Sequence, residues 1–286
     1  MQKDLLSVVM VNFNHGAFLH DAIESVISQN YYPWELIVVD DGSTDNSLEI
    51  ISEYQKKHSE RIRVETHPCG RNLGIAESYR LGISLCRGEF VGFLEPDDLW
   101  SPENAGKKIN ILKSYPVGFV YSDVEPFGEP DIIRLREKAL RLLAKSPSLV
   151  PFNAYASLAV INFIPTFSIV IARTAVFKEF SYLAYSSFMM SLDWFLWLQA
   201  SLRQRFFFIP EKLVSWRLYQ KSYYNSFLLR IGRPQFILWG LRYRWFILRY
   251  VVLPHKCGLL KKAEITALFF ISFARRILME IWERDC

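Results

Sequence analysis

The sequence predicts an α/β protein in which helices flank a mostly parallel sheet. Short β-type runs alternate with helix-length segments over the first 125 residues, a pattern typical of parallel sheets covered on both faces. Two of the apolar runs also end abruptly in acidic side chains. These acids are Asp40 and Asp41 after one run and Glu95, Asp97 and Asp98 after the other. Because ligands of open α/β sheets bind at the carboxyl ends of the strands, the acids mark a candidate site.

The predicted elements follow in order along the chain. The β-type runs predict strands over residues 7–11, 35–39, 61–66, 90–94 and 118–122. Apolar side chains at helical spacing predict helices over residues 18–27, 48–54 and 75–86. The second of these helices has Thr44 or Asp45 as its candidate N-cap. The alternation stops between residues 126 and 165, where a basic helical patch covers 134–145, and a further strand is expected at 167–172.

The C-terminal part of the chain differs in charge from the rest. The 286 residues are 51% hydrophobic and carry a net charge of +5, yet residues 227–286 hold eleven Lys/Arg against four Asp/Glu. Arg242, Arg244 and Arg249 interrupt the aromatic run there, so it lacks the roughly 18 apolar residues of a membrane span. We therefore expect an amphipathic helical, basic-aromatic extension over 226–286. It either lies on an anionic membrane surface or packs as a cap on the preceding domain.

The cellular location is expected to be cytoplasmic, with peripheral attachment to the cytoplasmic face of the membrane through this extension. The apolar run after Met1 is too short for a signal peptide, and the four cysteines form no Cys-x-x-Cys pair. No recognised nucleic-acid-binding module accompanies the basic charge, so no nucleic acid is expected as a partner.

The common phosphate-binding motifs are missing from the sequence. The turn after the first strand, residues 12–17, lacks the Gly-x-Gly-x-x-Gly fingerprint, and the chain has no Walker loop. A divalent cation that bridges strand-end carboxylates to a diphosphate is the expectation that remains. Alternatively, acids such as Asp45 and Asp98 could serve only as helix caps.

An ordered set of motifs resembles the family 2 glycosyltransferases with the GT-A fold, over about residues 5 to 225. The motifs are Val11-Asn12-Phe13-Asn14, Val39-Asp40-Asp41-Gly42-Ser43-Thr44-Asp45, Asn72-Leu73-Gly74, Glu95-Pro96-Asp97-Asp98 and Leu192-Asp193-Trp194. The resemblance implies a GT-A domain over 1–225, with a nucleotide-sugar-binding half at 1–125 and an acceptor and catalytic-base half at 126–225. It also implies a nucleotide-diphosphate sugar donor, with a UDP-sugar as the expected one.

The resemblance assigns the nucleotide-sugar contacts to three loops. Asp41 matches the carboxylate that contacts uracil, and the turn at Phe13 and Asn14 flanks the base and ribose. Asn72 and Gly74 match the loop that closes over the nucleotide. Two alternatives stay open: Asp40 may be a brace of its turn, and Gly74 can equally be a plain turn residue, because glycine is favoured wherever φ is positive.

The resemblance also assigns the metal and the chemistry. The Asp-x-Asp metal motif begins here with Glu95, so Asp97 matches the principal ligand of Mg²⁺ or Mn²⁺, while Glu95 can reach the cation or a ribose hydroxyl. Asp193 matches the catalytic base of an inverting transfer, although it could also be the N-cap of a helix starting at Trp194. Arg217 is expected to meet the diphosphate or to form a structural ion pair. Tyr219 stands where relatives often carry a histidine.

The predicted function is therefore inverting, metal-dependent sugar transfer to a glycan or lipid-linked acceptor in surface polysaccharide synthesis. A first alternative is a nucleotide-sugar-binding or regulatory protein of the same fold, impaired in catalysis by the departures at Glu95 and Tyr219. A nucleotidyltransferase is a second, but residues 12–19 contain no lysine for a triphosphate. Donor hydrolysis alone is a third.

Overall fold

The computed structural model describes residues 1–143, 145–147, 149–178 and 192–222, together with positions 245 and 267. Within these residues, eight strands form one sheet in the order β3-β2-β1-β4-β7-β6-β8-β5. The predicted extension over 226–286 lies outside the described residues apart from those two positions, so its helical character and its membrane contact stay predictions. Among the described residues, no helix combines the length and the apolar character needed to cross a membrane.

The first four strands match the predicted runs. Farther along the chain, β6 is longer than its predicted run and β8 has no predicted counterpart. Their bounds are β1 Gln2–Asn12, β2 Trp34–Asp40, β3 Ile62–Thr66, β4 Gly88–Phe93, β5 Leu99–Trp100, β6 Phe119–Gly128, β7 Val170–Arg173 and β8 Phe206–Leu218. All seven residues of β2 are buried, as expected of a strand that is covered on both faces.

The helices lie between these strands. Their bounds are α1 Gly16–Ile27, α2 Ser47–Lys57, α3 Ile75–Leu85, α4 Asn104–Ser114, α5 Pro130–Leu143, α6 Tyr155–Val160, α7 Ala175–Lys178 and α8 Leu192–Ser201. Close packing of α3 on the sheet depends on Gly82, since a Cβ there would lie 2.5 Å from Val9 Cγ1. α8 is buried almost all round, with Trp197 and Phe195 among the largest fully buried side chains.

Most of the sheet is parallel, as the sequence predicts. β1 runs parallel to β2 and β4, β2 is parallel to β3, and β6 is parallel to β8. β7 is antiparallel to both β4 and β6. The parallel pair β6 and β8 therefore runs in the same direction as the parallel group β1 to β4. The carboxyl ends of six strands therefore meet at one edge of the sheet. The chain passes from β1 to β2 on one side and later to β4 on the other, which makes a topological switch point at β1.

Two boundaries differ from the sequence expectations. The strand expected at 167–172 begins instead with a 3-10 turn, Phe167–Ile169, and only Val170–Arg173 pairs as β7. The reason is a local bond, because the N–H of Ser168 donates to Thr166 Oγ1 at 3.2 Å and curls the backbone. α2 begins after Asn46, not after Thr44 or Asp45, although Asp45 still accepts the Ser47 N–H at 3.0 Å.

Candidate active site

The ends of β1 and β2 are tied together by Asp40. Its carboxylate accepts hydrogen bonds from Asn12 Nδ2 at 2.7 Å, the Ser43 N–H at 2.9 Å and the Ser43 hydroxyl at 2.5 Å. The side chain is fully buried. Asp40 thus braces the turn that follows β2, as one of the two alternatives left open by the sequence has it.

The turn after β1 brings Phe13 and Asn14 to the same edge. Asn14 has a φ of +57°, and its Oδ1 accepts from the backbone N–H groups of Thr44, at 2.7 Å, and Asp45, at 3.3 Å. The side chain of Asn14 therefore joins the β1 loop to the β2 loop. Phe13 is 44% exposed and presents an open aromatic face beside them.

Asp41 fixes the loop that contains Asn72 and Gly74. Asp41 Oδ1 accepts from the Leu73 N–H at 2.7 Å, and Oδ2 accepts from the Gly74 N–H at 3.0 Å. Burial raises the pKa of Asp41, while the Leu73 N–H and the nearby His67 oppose the rise. Only 3% of Asp41 is exposed, so most of its hydrogen-bonding capacity serves this loop.

Two glycines allow the loop to approach so closely. Gly74 has a φ of +89°, as the turn interpretation of this residue requires. Gly42 has a φ of +78°, and a Cβ on it would lie 2.8 Å from the Gly70 carbonyl oxygen and 2.9 Å from the Asn72 nitrogen. The β2 turn and the 70–74 loop are therefore in backbone contact.

The end of β4 carries the second acidic group, and its members differ in their surroundings. Asp98 is buried and engaged at both oxygens: Oδ2 accepts from Ser168 Oγ at 2.6 Å, and Oδ1 accepts from the Arg217 N–H at 2.9 Å. This arrangement shows that Asp98 is a structural acid and not a helix cap. Glu95 and Asp97 are only partly buried and lie closer to solvent.

A short segment, residues 162–168, supplies partners to these acids. We call it the strap. Thr166 Oγ1 donates to Glu95 Oε2 at 2.5 Å, and Asn162 Nδ2 donates to Asp193 Oδ2 at 2.7 Å. The strap was not predicted from the sequence, because its polar side chains follow neither helical nor strand periodicity.

Burial raises the pKa values of these acids, and Asp97 adds to the rise at Glu95 and Asp98. Loss of water and then repulsion by Asp97 raise the pKa of Glu95 to about 8. Burial likewise raises the pKa of Asp97, against the attraction of His15, the Tyr219 hydroxyl and Arg217. The cluster therefore takes up protons more readily than ordinary carboxyl groups do. His15 acts on Asp97 although no pattern in the sequence places it there.

Arg217 and Tyr219 close over Asp97 from the end of β8. Arg217 Nε donates to the Asp97 carbonyl oxygen at 3.0 Å, and its guanidinium carbon lies 4.5 Å from the Phe18 ring and 4.4 Å from the Phe127 ring. The Tyr219 hydroxyl hydrogen-bonds the Asp97 side chain, and its ring centroid lies 5.6 Å from that of Phe18. Tyr219 thus contacts the predicted metal ligand from the position where relatives often carry a histidine.

Asp193 lies in the first turn of α8, which begins at Leu192, so the interpretation as an N-cap before Trp194 is wrong. Burial raises its pKa to about 6, and hydrogen bonds from the Trp194 N–H and Asn162 limit the rise. A carboxylate with this pKa is ionised at neutral pH yet more basic than an ordinary aspartate, as a general base requires.

The metal expectation can be tested against this donor set. In the described part of the chain, no group of three or more His, Cys, Asp or Glu side chains converges as a complete metal site. The chemistry of the donors nonetheless fits a hard cation: magnesium-type ions are held by one or two carboxylates plus substrate phosphates and waters. Asp97 provides a carboxylate of this kind, with the Glu95 carboxyl beside it.

Comparison with known proteins identifies the family. Residues 7–180, more than half of the chain, match the family described as Glycosyl transferase family 2. The UDP-Glc:alpha-D-GlcNAc-diphosphoundecaprenol beta-1,3-glucosyltransferase WfgD of Escherichia coli is 28% identical over 133 residues, 46% of this chain and 51% of WfgD. The first curated relatives are matched over about a third to a half of their length.

Two solved structures share the fold. S. aureus TarS 1–349 in complex with UDP-GlcNAc superposes with a TM-score of 0.63 at 17% identity, over 93% of this chain and 72% of TarS. The mannosyltransferase PcManGT from Pyrobaculum calidifontis, solved with GDP-Man and Mn²⁺, gives a TM-score of 0.56 at 14% identity, over 96% and 87% of the two chains. These likenesses confirm the predicted GT-A fold, and the sequence match shows that the chain belongs to glycosyl transferase family 2.

Proposed function

We propose that this protein transfers a sugar from a nucleotide-diphosphate sugar, with a UDP-sugar as the expected donor, to a glycan or lipid-linked acceptor in surface polysaccharide synthesis. The observation that carries the proposal is the grouping of Asp97 and Arg217, which are in contact, with Asp193, which like Asp97 acts on the charge of Glu95, at the strand-end edge of a GT-A sheet. Family membership and the names of WfgD and TarS support the class of donor and acceptor.

The nucleotide is proposed to bind between the loops that follow β1 and β2. The exposed Phe13 ring offers a face for the base, with Asn14 at the ribose and Asn72 and Gly74 in the loop opposite. Because Asp41 holds that loop by two backbone N–H groups, its expected contribution to uracil recognition includes fixing the shape of the loop. Direct contact of Asp41 with uracil stays a prediction.

The diphosphate is proposed to lie at Asp97 and Arg217. An acidic pocket repels a diphosphate, so a cation is needed to join the two. Asp97, with Glu95 nearby, would hold Mg²⁺ or Mn²⁺, and such an ion neutralises charge on the departing diphosphate. Arg217 is held between two aromatic rings, which presets its guanidinium for a phosphate oxygen.

The chemical step is proposed to use Asp193 as base. The acceptor hydroxyl gives its proton to the Asp193 carboxylate while its oxygen bonds to the anomeric carbon. The bond from that carbon to the diphosphate oxygen breaks, and the nucleoside diphosphate leaves with the electron pair. Attack and departure occur on opposite faces of the sugar, so the configuration inverts.

The test is UDP release from a panel of UDP-sugars with and without Mn²⁺, with a crude membrane lipid extract as the acceptor source. We expect Mn²⁺-dependent release from one donor by the wild type and its loss in Asp193→Asn, with donor affinity nearly unchanged. Equal turnover by Asp193→Asn would remove Asp193 as the base.

The second candidate is a binding or regulatory protein of the same fold. It is favoured by two departures from the family pattern, Glu95 at the first metal position and Tyr219 bonded to Asp97. Such a protein would bind a nucleotide sugar in calorimetry without releasing UDP. Binding without release across the panel and the extract would therefore favour it over the enzyme.

A further inference from the structure

Asn162, in the strap, is held in one orientation by two hydrogen bonds. Its Nδ2 donates to Asp193 Oδ2 at 2.7 Å, and its Oδ1 accepts from the Ile164 backbone N–H at 3.2 Å. An amide has its donors on nitrogen and its acceptor on oxygen. With the oxygen committed to the backbone, the nitrogen must face the acid. Asn162 is thus a donor aimed at Asp193 by the backbone.

The surroundings of Asp193 make this donor important. Among the described residues, the titratable groups that act on Asp193 or respond to it are the Glu95 carboxyl at the end of β4 and the Tyr79 hydroxyl on α3. Neither stabilises a negative charge in the way that a cation would. Burial also disfavours the carboxylate, and the Asn162 amide is the side chain in the described part of the chain that opposes this effect.

We propose that Asn162 is a positioning residue for Asp193, holding one carboxylate oxygen so that the acceptor hydroxyl meets an ionised base in a fixed orientation. This inference rests on the proposed function, since it takes Asp193 to be the base. Asn162 keeps its own protons throughout: the acceptor proton passes to Asp193, and Asn162 controls only the direction and ionisation of the group that receives it.

Two substitutions separate this role from a merely structural one. Asn162→Asp keeps an oxygen for the Ile164 N–H but puts a second carboxyl group beside Asp193 in place of the amide donor, which should raise the Asp193 pKa further by repulsion. Asn162→Ala loses both bonds and adds no charge. Asn153→Ala is the matched control, because Asn153 Oδ1 accepts from the Tyr155 N–H at 2.9 Å in the same type of turn. No contact between Asn153 and Asp193 is present in the described structure.

The first measurement is steady-state UDP release with whichever UDP-sugar of the panel the wild type uses, in the presence of the lipid extract. We expect kcat of Asn162→Asp and Asn162→Ala to fall about 10- to 100-fold because the base is misplaced, with the donor KM within about twofold. The acidic limb of the kcat/KM profile, near pH 6 in the wild type, should move to higher pH. Asn153→Ala should match the wild type.

The second measurement does not need turnover. Carbon NMR of protein labelled at aspartate carboxyls, with the Asp193 signal assigned from its absence in Asp193→Asn, gives the pKa of Asp193 directly. We expect this pKa to rise in both Asn162 variants and to stay constant in Asn153→Ala.

The outcomes are distinct. Wild-type turnover and an unchanged Asp193 pKa in Asn162→Asp would overturn the positioning role, and loss confined to Asn162→Ala would show that Asn162 only braces its turn. If Asp193→Asn itself keeps full activity, the proposed base fails, whatever the Asn162 variants do. If Asp193→Asn is inactive and Asn162→Asp is normal, only the present inference fails.

Discussion

Lys108 is a buried cationic residue away from the candidate site. It lies on α4, is fully buried, and its Nζ has no hydrogen-bond partner within the described residues. Burial holds the pKa of Lys108 well below its ordinary value. The folded protein therefore loses the Lys108 proton at a lower pH than the unfolded chain does, and burial of the amine costs stability.

Replacing this lysine should stabilise the protein. We expect Lys108→Met to raise the free energy of unfolding at pH 7 by about 1–2 kcal/mol, because an apolar side chain of similar length avoids the cost of the buried amine. The free energy of unfolding of the wild type should increase as the pH rises toward 10. The variant should lack this increase, because it has no amine at position 108. Urea unfolding between pH 6 and pH 10 measures both.

Lys107→Met is the control, since Lys107 is partly exposed and pairs with Glu103 and Glu211 at the surface. Its stability should change little, as is usual for surface ion pairs. Equal effects of the two substitutions would contradict a destabilising burial of Lys108.

Local sequence pattern identified some residues of the site and not others. Asp40, Asp41 and Asp97 could be found because each ends an apolar run. The bonds that separate the brace Asp40 from the loop anchor Asp41 depend on atoms 3–33 residues away, which no local pattern encodes. Asn162 and His15 carried no signal of any kind.

Among the elements, β1, β2 and β4 were predicted because burial on both faces leaves long apolar runs, whereas β3, with one buried residue of five, was predicted without such a run. β8 was not, since residues 210–212 place Pro210, Glu211 and Lys212 in its middle, where the strand is exposed and its register with β6 shifts. The strap was missed because its geometry is set by side-chain bonds to distant acids and not by a repeating pattern.

The contact between the β2 turn and the 70–74 loop gives an element-scale prediction. Gly42→Ala should weaken UDP binding at least several-fold and destabilise the fold by more than about 1 kcal/mol, because its Cβ would meet backbone atoms and its φ is positive. Isothermal calorimetry with UDP and thermal unfolding measure the two effects.

Gly70→Ala separates the two causes. Gly70 also has a positive φ, of +61°, but no atom lies within 4 Å of the place that its Cβ would occupy. We expect a smaller loss of UDP affinity there. An equal loss in both variants would assign the effect to backbone strain alone and not to the contact between the loops.

At the scale of the whole molecule, donor binding is expected to stabilise the fold. A ligand at 100 times its Kd adds about 2.7 kcal/mol to the stability of a protein that binds it only when folded. With UDP present, Mn²⁺ should therefore raise the unfolding temperature of the wild type by several degrees.

In Asp97→Ala, UDP should still raise the unfolding temperature, but Mn²⁺ should add nothing to that rise. Asp131→Ala is the control, as its side chain is 90% exposed and pairs only with Arg134 among the contacts described. An Mn²⁺-dependent rise that persists in Asp97→Ala would contradict Asp97 as the metal ligand.

The strap has a consequence for how the protein folds. Its bonds to Glu95 and Asp98 join residues 68 to 73 positions apart, and its bond to Asp193 joins residues 31 apart. Closing such long loops costs conformational entropy that local helices and turns do not. We therefore expect the bonds to Glu95 and Asp98 to form after β1 and β2 have paired, so that a partly folded chain could contain both strands and still be unable to use a donor.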